Sequence, residues 1–280
     1  MPLTVTNPES QSRKRLFPLS PDNSSHILSA SARSAAQFNA HCREGSENPL
    51  NHDIYVWDVN LDRPAREVDA LRQLLSKNEC ERASRLRAPG LESRFIVCRA
   101  TLRLILARTL EHRPEQFEFT YSALGKPGLK DFEEDGVYFN VTHSQGAAKI
   151  AITASGPLGI DLEHIRPDFA TTDIAERFFS PAERAALRQV AEDERPAAFF
   201  RCWTRKEAFV KAIGTGIGYP LDAFDVSLIP GSQDALLAVR SQSESAHSWS
   251  VRDLPAEPGF VAAIAVAATS GKVLPGEPIG

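Results

Sequence analysis

The spacing of apolar residues along this 280-residue chain changes repeatedly, and the changes predict an alternation of strands and helices. The segment Asp53–Asn60 alternates between two faces, which is typical of a strand. Apolar residues recur at helical spacing over Leu91–Leu110, which predicts a buried helix. Two β-rich runs, Val137–Thr142 and Ala147–Ile152, flank His143–Gly146 and together predict an antiparallel hairpin.

The second half of the chain has a similar mixture of elements. Leu158–Glu163 predicts a strand, and Ser180–Glu183 is a capping box with Pro181 at the first helical position. The remaining predicted elements are helices over 66–86 and 197–213 and strands over 117–121, 224–229, 235–239, 247–252 and 260–267. These elements favour an α+β fold of two related lobes (a pseudo-dimer), each a small antiparallel sheet with helices, with the active site at the lobe interface.

The composition along the chain predicts the domain boundaries. Residues 1–50 are rich in Ser, Asn and Pro without sustained apolar periodicity, so we expect a disordered N-terminal tail. An upstream translation-start artefact would explain the same segment. We expect an N-terminal lobe over 51–154, a C-terminal lobe over 155–270 that carries the candidate metal ligands, and a flexible tail over 271–280.

Charge and hydropathy exclude several classes of protein. The net charge of −4 offers no overall positive field, so we expect neither a nucleic-acid nor a membrane partner. The longest apolar run, Phe260–Ala268, is too short to span a bilayer, and the first residues do not read as a signal peptide. The four cysteines form no Cys-x-x-Cys pair, which is typical of a reduced, cytoplasmic protein.

Asp161 and Glu163 are the first candidates for chemistry. Residues two apart on a strand point to the same face, so both carboxylates converge there. Two like charges so close are costly unless a cation or a proton lies between them. Mg²⁺ is the plausible cation, since it prefers a few carboxylates together with phosphates and water. An ordinary solvated strand face is the alternative.

The predicted helix over 197–213 contains the second cluster. Trp203, Glu207 and Lys211 recur every four residues and form one stripe, with Lys206 beside it. A surface salt bridge between Glu207 and Lys211, together with packing of Trp203 in the core, would explain the same pattern.

Two further segments suggest contacts to phosphate. Thr142 and His143 are adjacent at a strand end, where a hydroxyl and an imidazole can reach phosphate oxygens, although a lone histidine at a turn is more often structural. Residues 76–103 contain seven basic and three acidic residues, which indicates either a patch suited to phosphate or a solvated helix face. No Gly-x-Ser-x-Gly motif surrounds Ser144, and the glycines of 214–218 follow a helix and do not form a phosphate-binding loop.

Taken in order, these motifs resemble the signature of the 4′-phosphopantetheinyl transferase family. The matching segments are Gly159–Glu163, Trp203–Lys211 with Gly214, Gly125–Pro127, Phe139–Ser144 and Arg177–Glu183. The resemblance covers about residues 53–268 and is to the larger, monomeric (surfactin-synthetase-activating) type, which serves polyketide and nonribosomal peptide synthesis. It implies transfer of 4′-phosphopantetheine from coenzyme A to a serine of apo acyl or peptidyl carrier proteins, with Mg²⁺ as cofactor and 3′,5′-ADP as the second product.

The resemblance also implies roles for individual residues. Asp161, Glu163 and Glu207 are the implied Mg²⁺ ligands, and Asp161, Glu207 and Lys211 the implied catalytic residues. The implied contacts to coenzyme A are Lys126, Thr142, His143, Lys206 and Lys211, with Arg82, Arg85 and Arg94 at the adenosine 3′-phosphate end. Two positions depart from the family pattern: Thr142 replaces a serine, and Glu79 stands where some relatives carry a basic residue.

Two alternative functions and one choice of residue stay open. The chain could be a carrier-binding module without catalysis, or a hydrolase of coenzyme A or of nucleotide diphosphates, in which water replaces the serine. Glu207 and His143 could each accept the proton of the attacking serine, and we favour Glu207.

Overall fold

The central strands of the fold come from the segments with the clearest alternation. The computed structural model describes residues 50, 53–122, 125–130, 136–170, 172–232, 235–240, 246–267 and 271–279. The predicted disordered tail over 1–50 lies outside these residues, apart from Leu50, and so does Cys42. No helix among these ranges is both long and apolar enough to cross a membrane.

The first sheet has four strands. β1 (Ile54–Asn60) pairs antiparallel with β5 (Ala147–Thr153), and β5 pairs antiparallel with β4 (Tyr138–Ser144), which confirms the predicted hairpin. Trp57 and Val59 on one face of β1 pack into a core with the helices, while Ile54 and Val56 on the other face join a second core.

Three helices pack into one apolar core with a face of this first sheet. They are α1 (Ala65–Arg72), α2 (Lys77–Ser84) and α3 (Leu91–Leu110). The single charged helix predicted over 66–86 is therefore interrupted. The break occurs at Ser76, whose hydroxyl accepts a hydrogen bond from the Glu79 amide while the Glu79 carboxylate accepts one from the Ser76 amide. This capping box starts a new helix.

The second sheet has three antiparallel strands, in the order β6, β10 and β9. They are β6 (Leu158–His164), β9 (Trp249–Leu254) and β10 (Phe260–Ala267). The long helix α6 (Arg195–Ile213) packs on the outer face of this sheet. The remaining elements are α4 (Thr172–Phe178), α5 (Pro181–Gln189) and two small hairpins, β2 (Phe119–Tyr121) with β3 (Pro127–Leu129) and β7 (Phe224–Val226) with β8 (Leu236–Val239).

The two sheets pack on each other through a shared apolar core. Ile54 and Val56 of the first sheet contact a layer that includes Ile160, Leu162 and Ile264 of the second. With α3 outside one sheet and α6 outside the other, the layers run helix, sheet, sheet, helix. The expected mixed α+β fold with small antiparallel sheets is confirmed.

Strands β4 and β6 are joined by side chains instead of a backbone ladder. From Asn140 onward, every second residue of β4 offers a side-chain oxygen that accepts a hydrogen bond from a backbone amide of β6. The three pairs are Asn140 Oδ1 with Ile160 N at 3.0 Å, Thr142 Oγ1 with Leu162 N at 3.2 Å, and Ser144 Oγ with His164 N at 3.1 Å. This polar ladder fixes the register between the two sheets.

The last described residues correct an expectation. A flexible tail was predicted over 271–280, yet β11 (Val273–Pro275) pairs in parallel with the open edge of β1. The Trp57 indole N–H donates to the Glu277 carbonyl at 2.7 Å, and Arg108 donates to the same carbonyl at 2.8 Å. The expectation is wrong for 271–279, because an unpaired strand edge and two side-chain donors bind this segment.

Gly159 of β6 allows α6 to pack closely against the sheet. A Cβ atom at this position would lie 2.1 Å from the Ala208 carbonyl oxygen and 2.3 Å from the Ala212 amide nitrogen, both on the helix backbone. The absence of a side chain therefore sets the distance between the helix and the strand that carry the site.

Replacing Gly159 with alanine should lower the free energy of unfolding by about 2 kcal/mol or more, because neither backbone can yield without separating helix and sheet. Urea denaturation measures the change. Gly218→Ala is the control, since a Cβ atom there has no neighbour within 4 Å. Equal stability of Gly159→Ala and the wild-type protein would contradict the packing described here.

Candidate active site

Strand β6 brings two carboxylates to the face that is turned away from the inter-sheet core. Asp161 is buried and Glu163 is partly buried, while their neighbours Ile160 and Leu162 point into that core. The predicted convergence of the two carboxylates follows from this alternation. Both line one cavity of about 730 Å³.

Helix α6 supplies the opposite wall of this cavity. Glu207 and Lys211 line it, one helical turn apart, and the Lys211 ammonium donates to Asp161 Oδ1 at 2.6 Å and to the Ile160 carbonyl at 3.2 Å. Trp203 lines the same cavity one turn earlier, so the stripe predicted along the helix faces the cavity. The simple surface salt bridge between Glu207 and Lys211 is not what the structure shows, because the ammonium pairs with Asp161.

The carboxylates of the cavity disfavour one another's ionised forms. Burial and the negative charge of Asp161 raise the pKa of Glu207. The pKa of Glu163 is raised by the same two causes, and the Ser144 hydroxyl, which donates to it at 3.2 Å, opposes the shift. Lys211 offsets only part of this negative charge. The site therefore favours an additional cation.

The donor set suits Mg²⁺ with a ligand's phosphates. Asp161 Oδ2 is buried and has no hydrogen-bond partner among the described residues, which is the arrangement expected of an oxygen that binds a cation. In the same part of the chain, no three His, Cys, Asp or Glu side chains converge closely enough to hold a metal by themselves. Mg²⁺ fits such a site because it commonly takes one or two carboxylates and completes its shell with phosphates and water.

His143 lies at the rim of the cavity, at the end of β4. Partial removal of its ring from water, followed by repulsion from the Lys211 ammonium, lowers the pKa of its imidazole. Thr142, the preceding residue, has a buried hydroxyl that donates to Asp161 Oδ1 at 3.3 Å and accepts from the Leu162 amide. That hydroxyl therefore orients Asp161, and the structure does not present it as an open phosphate contact.

Lys126 reaches the site from the hairpin between β2 and β3. Its ammonium donates to the Lys211 carbonyl at 2.6 Å and to the Leu158 carbonyl at 3.2 Å, and burial lowers the pKa of the amine. It lines a neighbouring cavity that also contacts Glu207 and Gly214. Lys126 thus joins the end of α6 to the start of β6 beside the carboxylates.

Lys206 does not reach the cavity, and its expected contact with coenzyme A is corrected here. Its ammonium is fully buried on the other side of α6, 2.7 Å from Glu183 Oε1 and 2.8 Å from the Phe224 carbonyl to which it donates. Adjacent helical residues point about 100° apart, and here Glu207 faces the cavity while Lys206 faces Glu183. Glu183 of the capping box is the partner that sequence reasoning did not identify.

A second cavity, of about 360 Å³, adjoins the first at Val141 and His143. Arg82 and Arg94, two of the three arginines expected at the adenosine end, line it. Arg94 is also held by Asp62, with Nε–Oδ1 and Nη2–Oδ2 distances of 2.7 and 3.1 Å. Because 32 residues separate Asp62 from Arg94, no local sequence pattern indicates this pair.

Arg85 is not brought to either cavity. Its side chain is 78% exposed and lies 3.9 Å from Glu81 one helical turn away. It follows α2 as the C-cap residue and points into solvent, so the solvated-face alternative holds for this arginine. Its expected contact with the adenosine 3′-phosphate is corrected accordingly.

Comparison with known proteins decides the family. The sequence model of the 4′-phosphopantetheinyl transferase superfamily matches residues 157–265, which include the carboxylates of β6 and the whole of α6. The 4′-phosphopantetheinyl transferase HetI of Nostoc sp. is 37% identical over 219 residues, covering 78% of this chain and 89% of that protein. The chain belongs to the 4′-phosphopantetheinyl transferase family.

Two relatives from Bacillus subtilis agree with this family. A 4′-phosphopantetheinyl transferase is 32% identical over 175 residues, covering 62% of this chain and 76% of that protein. The 4′-phosphopantetheinyl transferase Sfp is 27% identical over 214 residues, covering 76% of this chain and 92% of that protein. The transferase resembles them over most of its described residues.

The contribution of Glu207 to the cation site can be tested by thermal stability, without measuring the reaction of the transferase. Because the pKa of Glu207 is raised in the folded state, its ionised form opposes folding at neutral pH, and this cost disappears once the carboxyl is protonated or neutralised. Glu207→Gln should therefore raise the melting temperature without Mg²⁺ by about 2–4 °C, and it should show a smaller increase on addition of millimolar Mg²⁺ than the one we expect for the wild-type enzyme. Differential scanning calorimetry measures both.

The exposed Glu257 provides the matched control, because Glu257→Gln changes the same charge outside the cavity and should keep the full response to Mg²⁺. A Glu207→Gln enzyme with an undiminished response would show that this carboxylate does not contribute to the cation site.

Proposed function

We propose that this transferase moves 4′-phosphopantetheine from coenzyme A to the hydroxyl of a carrier-protein serine, with Mg²⁺ as cofactor. The observation that carries the proposal is the Lys211–Asp161 pair, which leaves Asp161 Oδ2 unpaired beside two carboxylates in one cavity. A lysine for phosphate and carboxylates for a divalent cation are the groups that a diphosphate requires. HetI and Sfp, both named 4′-phosphopantetheinyl transferases, support the same reaction.

The reaction exchanges one bond to phosphorus for another. The serine oxygen attacks the phosphorus that carries pantetheine, and the bond from this phosphorus to the bridging diphosphate oxygen breaks. The products are the phosphopantetheinyl serine and 3′,5′-ADP, and the serine proton passes to a base. Mg²⁺, when bound, neutralises charge on the diphosphate oxygens.

Different side chains of the cavity bind the metal, stabilise the developing charge and position a phosphate. We assign Mg²⁺ ligation to Asp161, Glu163 and Glu207, which all line the cavity. Because the three do not converge on one point among the described residues, the ion would be held directly or through water, with the phosphates of coenzyme A completing its shell. The Lys211 ammonium, fixed by Asp161, would stabilise the negative charge that develops on the leaving 5′-phosphate of 3′,5′-ADP. His143 at the rim positions a phosphate oxygen.

We propose Glu207 as the base that accepts the serine proton, directly or through a water. Burial and neighbouring charge raise the pKa of Glu207, which makes its carboxylate a better proton acceptor at neutral pH. His143 is the competing candidate, and the Lys211 ammonium disfavours its protonated form.

The other end of coenzyme A has its own cavity. We propose that Arg82 and Arg94 bind the adenosine 3′-phosphate, and that Lys126 supports the diphosphate end through its contact with α6. The shared border of the two cavities at His143 supports one extended ligand that occupies both.

The cellular setting is proposed from the sequence. We infer that the enzyme is a cytoplasmic monomer of two related lobes with the active site at their interface, and that it serves acyl or peptidyl carriers of polyketide or nonribosomal peptide synthesis. The net charge of −4 supports the absence of a nucleic-acid or membrane partner.

Mass spectrometry of an apo carrier protein after incubation with enzyme, coenzyme A and Mg²⁺ tests the function. We expect a mass gain of one phosphopantetheine on the carrier serine and release of 3′,5′-ADP only when the carrier is present. Release without a carrier would favour a hydrolase. Carrier binding without any mass gain would favour a module that lacks catalysis.

Steady-state kinetics of two variants separate the two candidate bases. Glu207→Gln removes the base and a metal charge and should lower kcat at least about 10²-fold. His143→Ala should chiefly raise the KM for coenzyme A, because it removes a phosphate contact. Should His143→Ala abolish turnover with an unchanged KM while Glu207→Gln stays active, the two roles must be exchanged.

A further inference from the structure

A third arginine, Arg99, borders the smaller cavity together with Arg82 and Arg94. It projects from α3 and is almost completely buried, unlike the exposed Arg82. The charge of a buried arginine is stabilised only if an opposite charge and hydrogen-bond acceptors surround it, and the contacts of Arg99 supply only part of this.

The guanidinium of Arg99 is fixed by its surroundings. Its Cζ atom lies over the Phe119 ring, 4.3 Å from the ring centroid, and its Nη2 donates to the Tyr121 hydroxyl at 3.0 Å. Its Nε lies 3.5 Å from Glu79 Oε1, which is an ion pair without a hydrogen bond. The other terminal nitrogen, Nη1, is buried and has no hydrogen-bond partner in the described part of the chain.

Glu79 is already neutralised by a different arginine. Arg103 donates to Glu79 Oε2 through Nε at 2.9 Å, and its Nη2 lies 2.8 Å from the same oxygen. One carboxylate therefore faces two buried guanidinium groups, so the cluster holds one positive charge in excess. Arg99 is the member of the pair that borders the cavity, and Arg103 bonds away from it to the Pro114 carbonyl.

We propose that Arg99 is a specificity-determining residue that binds the 3′-phosphate of coenzyme A together with Arg82 and Arg94, and that Glu79 positions it. A phosphomonoester is a dianion that pairs with guanidinium groups, which suits the excess positive charge of the cluster at the border of the cavity. Since the Phe119 and Tyr121 contacts hold the side chain in one orientation, the charge needs little ordering when the ligand arrives. This inference rests on coenzyme A as the substrate of the proposed reaction.

The test compares coenzyme A with 3′-dephospho-coenzyme A as donor. For the wild-type enzyme, KM should be lower with coenzyme A. Arg99→Gln should raise KM for coenzyme A about tenfold or more and leave KM for the dephospho form within about twofold, because only the first donor has the contacted phosphate. The kcat with either donor should change little. The exposed Arg66 provides the charge-matched control, Arg66→Gln, for which both KM values should stay constant.

Direct binding gives a readout that does not need transfer. In calorimetry with 3′,5′-ADP and 5′-AMP, Arg99→Gln should lose affinity for the first nucleotide alone. If Arg99→Gln fails to fold because Glu79 loses a partner, two other variants replace it in the same measurements. They are Arg99→Lys and the double variant Glu79→Gln with Arg99→Gln, and both should reduce the preference for the 3′-phosphate.

Two results would overturn the inference while leaving the transferase reaction intact. One is a wild-type enzyme that transfers from both donors with equal KM. The other is an equal change of both KM values, or of neither, in the Arg99 variants, which would make the residue structural. A wild-type enzyme that loads no carrier at all would instead reject the proposed function.

Discussion

The site depends on one interaction, the polar ladder by which β4 holds β6. Side-chain oxygens of Asn140, Thr142 and Ser144 accept hydrogen bonds from the backbone amides of every second residue of β6. In an ordinary sheet, backbone carbonyls would accept these bonds. Because alternate residues of a strand share a face, this pairing also decides which way the intervening residues point. Asp161 lies between two of the bonded amides and is thereby directed toward α6.

The close approach of α6 brings the remaining side chains of the site to Asp161. Gly159 lets the helix backbone contact β6 directly, so Lys211 reaches the carboxylate of Asp161 and Glu207 enters the same cavity. The result is a cavity whose acidic side chains outnumber its basic ones, at the border of a second cavity that contains arginines. Such opposite charges in neighbouring cavities suit a ligand that carries phosphates at two places and brings a cation to one of them.

The sequence predicts local structure well and partners across the fold less well. Leu91–Leu110 has the predicted bounds as a helix, and Asp161 with Glu163 share a face because strand alternation is a local rule. The break at Ser76 was missed although its capping box is a local signal. The pairing of β11 with β1 depends on a strand edge more than 200 residues away, which no local pattern reveals.

The candidate site residues show the same contrast between what local spacing predicts and what depends on contacts across the fold. The stripe of Trp203, Glu207 and Lys211 follows from helical spacing and is present. Lys206 was misplaced because the resemblance assigns it a role without showing its direction, and Glu183, which binds it, lies on another helix. For Arg99, the sequence indicates only a basic stretch, while the contacts with Glu79 and Phe119 depend on how α2, α3 and β2 pack.

The unpaired Asp161 oxygen and the neighbouring carboxylates imply a site that binds Mg²⁺ weakly alone and more tightly together with the phosphates of coenzyme A. Isothermal titration of Mg²⁺ into the enzyme, with and without coenzyme A, measures this coupling directly. We expect weak binding of Mg²⁺ alone and markedly tighter binding with coenzyme A, and linkage requires that Mg²⁺ raise the affinity for coenzyme A by the same factor. Equal Mg²⁺ affinity in the two titrations would contradict it.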